Sequence, residues 1–86
     1  PLSLGIDRNF GLPGSQIIVN GSGFALKENV KITMNKVEVG RVQADDYGRF
    51  STIVTVPAVN YHPLTVDVKA TGLNSGRTYS ISFLVK

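Results

Sequence analysis

With 86 residues, a net charge of +3, 42% hydrophobic and 17% charged residues, the chain has the size and composition of one globular domain rather than a disordered segment. No apolar run approaches the ~20 residues of a membrane-spanning helix. Cysteine is absent, which removes disulfides and thiolate metal sites.

The nine basic residues are spread from Arg8 to Lys86, a distribution that favours solubility over an anionic partner. The opening Pro1-Leu2-Ser3 carries neither an initiator Met nor a signal peptide, and it already reads as strand. The expectation is a single domain, 1–86, either a processed mature protein or, as the strand-like opening favours, a piece of a longer polypeptide.

Period-two alternation runs through most of the chain. Leu2, Leu4 and Ile6 point one way, and Gly11-Leu12-Pro13-Gly14 is a turn cluster. Ile17 and Val19 line one face of the next strand, with Gln16, Ile18 and Asn20 on the other. Gly21-Ser22-Gly23 should break that strand, and Phe24 follows as a core plug. Residues 24–30 are the best helix candidate, but they are too few and lie between strong strands.

Val30, Ile32 and Met34 alternate with Lys31 and Thr33, and a weaker strand covers 37–43. Asp45-Asp46-Tyr47-Gly48 has the chemistry of a type I turn, expected to join two antiparallel strands. Phe50, Thr52, Val54 and Val56 share a face up to Pro57. Leu64, Val66, Val68 and Ala70 repeat the pattern, as do Tyr79, Ile81, Phe83 and Val85 after the Asn74-Ser75-Gly76 turn.

The tally is about seven strands separated by turn signals, which predicts an all-β sandwich with Greek-key connections. The alternating inward residues form the expected core. Ile18, Ile53 and Leu84 are apolar residues expected to face outward, where together they could form a contact patch.

The stretch Gly11-Leu12-Pro13-Gly14-Ser15-Gln16-Ile17-Ile18-Val19-Asn20-Gly21-Ser22-Gly23-Phe24 resembles the opening of IPT/TIG-type immunoglobulin-like domains of prokaryotic surface proteins. There a Pro-Gly turn precedes a β-branched strand, and Gly-x-Gly-Phe makes the corner. Asp45-Asp46-Tyr47-Gly48-Arg49-Phe50 and Val56-Pro57 resemble that family's Asp-x-x-Gly-x-Phe hairpin and Val-Pro strand end. The resemblance covers essentially the whole chain and implies an immunoglobulin-like Greek-key sandwich. It also implies an extracellular or cell-surface prokaryotic setting, in which such domains serve as spacers, adhesion modules, S-layer or filament units, or accessory domains of enzymes. Gly21 and Gly23 are expected to supply unusual backbone angles at the corner, with Phe24 filling it.

Residues that could carry chemistry each have a plainer reading. His62, the one histidine, precedes Pro63 in a predicted loop, with no nucleophile motif to complete a triad, so no catalytic residue is assigned. Asp45 and Asp46 fall short of the six to eight oxygens calcium takes, and zinc would have one histidine and no cysteine, so neither a metal nor another cofactor is expected. Asn20-Gly21-Ser22 fits the N-glycosylation acceptor pattern.

Lys27, Lys31, Lys36 and Arg41 are the nearest approach to a basic cluster, but Glu28 and Glu38 interrupt it and no aromatic lies within it. A solvated face is the expectation there, not nucleic-acid binding. Tyr47 and Tyr61 stand near turns and could stack on sugar rings, or cap the sandwich.

The expected function is therefore a non-catalytic structural or interaction module. Its partners would be other domains of the same chain or neighbouring subunits, without direct membrane insertion. Strand exchange through residues 2–6 or 77–85 is its strongest form. The alternative is a carbohydrate-binding accessory domain of a secreted enzyme, with Tyr47 and Tyr61 as ligand aromatics.

Overall fold

Eight strands and no helix make up residues 2–86, the part described by the computed structural model. In chain order they are β1 (Ser3–Ile6), β2 (Phe10–Gly11), β3 (Gln16–Ser22), β4 (Asn29–Met34), β5 (Val37–Gln43), β6 (Phe50–Thr55), β7 (Leu64–Gly72) and β8 (Thr78–Val85). They form a three-stranded sheet in the order β1-β3-β6 and a five-stranded sheet in the order β2-β8-β7-β4-β5.

Alternation decides which face of each strand meets the other sheet. From β3 come Ile17 and Val19, from β4 Val30, Ile32 and Met34, and from β7 Val66, Val68 and Ala70, all buried in one core with Phe83 and Val85 of β8. Burying a side chain of this kind stabilises by about 1.5–3 kcal/mol, so this shared interior dominates the fold's stability. Phe24 and Phe50 close one end of it, their ring centroids 5.5 Å apart at 59°. β4 and β5 are joined through Asn35 and Lys36, at φ 52° and 66°, the left-handed pair that a two-residue type I′ hairpin requires.

Several expectations change. The additional strand is β2, whose second residue, Gly11, falls in the expected turn cluster: after β1 the chain leaves the small sheet and runs parallel to β8 at Leu84 and Val85. The turn at 45–48 does not join paired strands, because β5 belongs to the five-stranded sheet while β6 pairs with β3. Both Ala44 and Phe50 point into the core, and the turn between them carries the chain from one layer to the other.

β3 continues through Gly21 and Ser22, so the strand breaks only at Gly23, where φ reaches 86°. Gly21 serves a different purpose from the one expected. A side chain there would run into the rings of Phe50 and Phe24, so its glycine provides room rather than an unusual angle. Tyr79 shares the inward face of β8 but is 42% exposed, because the three-stranded sheet is too narrow to cover that flank.

The body measures 38 × 20 × 19 Å. At one end of the strands, Ser3 pairs with Ser22, and the Arg77 guanidinium donates to Gly23 O at 2.7 Å. At the other end, Lys86 N donates to Gly11 O and His62 Nδ1 lies 2.8 Å from Lys86 O. The described chain therefore enters at one pole and leaves at the opposite one.

Candidate interaction surfaces

The first pole is built around Glu28. The sequence places it among surface lysines, yet it is 1% exposed, the one buried charged residue among those described. Its Oε1 accepts hydrogen bonds from the N–H groups of Asn74 (3.1 Å) and Ser75 (2.9 Å). Its Oε2 accepts from Ala25 N (2.6 Å) and the Ser75 hydroxyl (2.8 Å). Burial pushes this carboxyl up, but the hydrogen bonds from Ser75, Ala25 and Asn74 outweigh it and hold it below the usual carboxylate range. Gly72 makes the arrangement possible, since any side chain there would occupy the carboxylate's position.

One carboxylate thus ties the 23–28 loop to the 73–76 turn. The same loop is bound on its other side to the 45–48 turn, through Phe24 N to Gly48 O, Lys27 N to Asp45 O, and a Lys27–Asp46 ion pair at 3.3 Å. Gly48, at φ 75°, lies so close that a side chain would overlap the carbonyl of Phe24. Within that turn, Asp45 Oδ1 accepts from Arg49 N and Tyr47 N, which lowers its pKa. The Asp45–Asp46 pair therefore organises a turn, and no group of three or more metal-ligating side chains occurs among the described residues.

These three connected loops expose Leu26 (65%), Tyr47 (74%) and Leu73 (43%). Sequence reasoning singled out only Tyr47, over which the Arg49 guanidinium stands at 5.0 Å from the ring centroid. Leu26 and Leu73 break the alternation because they occupy loops, where no periodic signal distinguishes a buried leucine from an exposed one.

Tyr61 is 64% exposed but belongs to the opposite pole, beside His62 and Lys86. The fold therefore gives Tyr47 and Tyr61 no common platform. The basic residues are separated too. Lys31 and Arg41 are cross-strand neighbours on the outer face of the large sheet, with Arg41 bound to Glu38 at 2.8 Å. Lys27 is in the 23–28 loop, and Lys36 is in the hairpin turn at the far pole.

Of the three expected outward apolar residues, Ile18 and Ile53 are directly opposed across β3 and β6, 41% and 62% exposed. Gln16, Asn20, Ser51 and Thr55 beside them on that outer face are uncharged, but Asp7 stands next to Ile18 and its Oδ1 accepts from Ile18 N at 2.9 Å. Asn20, the glycosylation candidate, is exposed there beside Gly5. Leu84 belongs to the other sheet, half covered where Phe10 pairs alongside it.

The two terminal segments expected to exchange differ in position. β1 is an edge strand of the small sheet. β8 lies inside the large sheet's order, but β2 accompanies it only at Leu84 and Val85. Along the rest of its length that edge has no hydrogen-bonded strand among the described residues, although β1 of the other sheet packs against β8.

No family model matches the chain, and no curated protein does. Among solved structures it is similar to macromomycin, at 13% identity over the full length of both chains with a TM-score of 0.79. At that identity the likeness shows a shared all-β fold alone.

Proposed function

We propose that the chain is a non-catalytic structural or interaction module of an extracellular or cell-surface prokaryotic protein, built as an immunoglobulin-like Greek-key sandwich of IPT/TIG type. Its settings would be an S-layer, a pilus-like or thread-like filament, an adhesion module or a spacer in a long secreted chain. The Greek-key reading draws on connections such as 23–28, 44–49 and 56–63, which carry the chain between sheets instead of to a neighbouring strand.

The observation that carries the functional reading is polarity of the chain path. Residue 2 and Lys86 lie at opposite ends of a 38 Å body, and both ends present exposed apolar side chains, Leu26 and Tyr47 at one and Leu12 and Tyr61 at the other. A module with that path transmits length and load along a polypeptide while offering its flanks and poles to neighbours. The carbohydrate-accessory alternative would have to rest on one tyrosine at a time, because the two stand at opposite poles.

Immunogold labelling of the source cells with an antibody raised against this chain tests the reading. Label on the envelope or along extended assemblies is the expected result. Label confined to the cell interior would overturn it.

A further inference from the structure

Unpaired strand edges are sites at which sheets recruit further strands, and proteins usually blunt them with charge, proline, bulges or brevity. The edges of this molecule are unequal in that respect. β5 carries the bound pair Glu38 and Arg41, and its register against β4 is broken by an irregularity at Ile32 and Thr33. β1 has only four residues, and β6, uncharged and free of proline, lies with β5 of the other sheet packed against it. The open part of β8, by contrast, reads Thr78-Tyr79-Ser80-Ile81-Ser82-Phe83, without charge, proline or a register break against β7.

The direction of its hydrogen-bonding groups follows from the ladder. Arg77 O accepts from Gly72 N on the β7 side, whereas Leu84 N donates to Asn9 O on the β2 side. Because successive residues of a strand present their N–H and C=O groups to alternate sides, odd-numbered residues bond β7 and even-numbered ones face away. The N–H and C=O groups of Thr78, Ser80 and Ser82 therefore point off the sheet. Among the described residues none of them meets a backbone partner there.

We propose that this edge of β8 pairs with the same edge of a second copy of the chain, antiparallel about a two-fold axis at Ser80. The proposal rests on the reading of the chain as an interaction module and names one of its contacts. The segment is complementary to itself. With Ser80 opposite the partner's Ser80, Thr78 falls opposite the partner's Ser82, and about six backbone hydrogen bonds form between the chains.

Tyr79 and the partner's Ile81 then occupy the closely spaced non-hydrogen-bonded positions, an aromatic and a β-branched side chain of the kind that stabilises cross-strand pairs. That contact would cover Tyr79, the inward-facing residue that its own chain leaves 42% exposed. The outer row is Ser80 and Thr78 against hydroxyl-bearing residues, so no like charges oppose one another. The contact is isologous and closes at two copies, joining two five-stranded sheets into one of ten.

A single strand pair buries less than the ~1,200 Å² of a standard stable interface, so a weak, concentration-dependent association is expected. Sedimentation equilibrium up to about 2 mM reads the association directly. The expected result is a monomer–dimer equilibrium, with amide exchange at Ser80 and Ser82 slowing as concentration rises.

Ser80→Pro deletes an N–H that the fold itself does not use, and Ser82→Lys adds a charge at the edge; each should weaken the dimer at least tenfold. Val37→Lys, on the distant β5, should leave it unchanged. Circular dichroism of each variant separates loss of pairing from loss of fold. A chain that stays monomeric throughout, or a dimer indifferent to both edge variants while they remain folded, overturns the proposal. Neither result bears on cell-surface placement, which the labelling experiment decides separately.

Discussion

The two poles of the molecule are built from the same kinds of turn residues but are held together differently. At the Glu28 pole, one buried carboxylate accepts four hydrogen bonds from two loops, and a third loop is pinned to the same segment by backbone bonds and an ion pair. At the opposite pole, contacts are made one at a time and mostly in solvent. Ser15 bonds Leu12 O, Gly14 and Ser15 meet Val56, and His62 reaches Lys86 O. Charge buried at one pole creates a single cooperative knot, whereas the other is a sum of small local terms. Loss of a buried acceptor leaves its donors without partners, while loss of an exposed one lets water take its place.

The sharpest way to break this comparison is Glu28→Ala. Three N–H groups and a hydroxyl lose their acceptor inside the pole, and the expected loss is about 3–5 kcal/mol in denaturant unfolding. A loss below about 1 kcal/mol would mean that water replaces the carboxylate and that the two poles are alike.

A smaller effect is expected from acid. The Glu28 carboxyl titrates below its ordinary value in the folded state, so the unfolded chain binds the proton more readily. Its contribution is complete above the ordinary glutamate pKa, about 4.3, and is lost as pH falls through the lower folded value. Asp45 and Glu38 shift in the same direction, held down by Arg49 N–H and by the Arg41 side chain respectively. Comparing wild type with Glu28→Gln in urea at pH 7 and pH 3 isolates the buried group. The wild type should lose more stability than the variant over that interval, and parallel losses would assign the acid sensitivity to the exposed carboxylates.

The smallest effect belongs to the opposite pole. His62→Ala removes one exposed hydrogen bond and should change unfolding free energy by no more than about 0.5 kcal/mol. A larger cost would show that the Lys86 pole has a knot of its own.

Much of the fold is legible in the residues. The inward rows of β3, β4, β6 and β7 follow from period-two alternation, because a side chain's face on a strand is fixed by its parity. Phe24 was recognisable as a core residue from its place after Gly23. Glu28 was not, since a lone glutamate between lysines carries no sign that N–H groups of its own loop and of the distant 73–76 turn converge on it. Nor was Tyr79's exposure, which depends on the width of the opposite sheet.

The candidate surfaces divide along the same line. That Ile18 and Ile53 face outward could be read from parity, but that they are cross-strand neighbours, with Leu84 on a different sheet, could not. The sequence by itself determined an all-β chain, most of its strands, and the facing of their side chains, because these depend on spacing along one strand. Only the tertiary structure decided that β5 and β6 part into different sheets, that Glu28 is buried, and that half of β8 is left open. Those outcomes depend on which strands become neighbours, and backbone hydrogen bonds between strands do not record the identity of the side chains they carry.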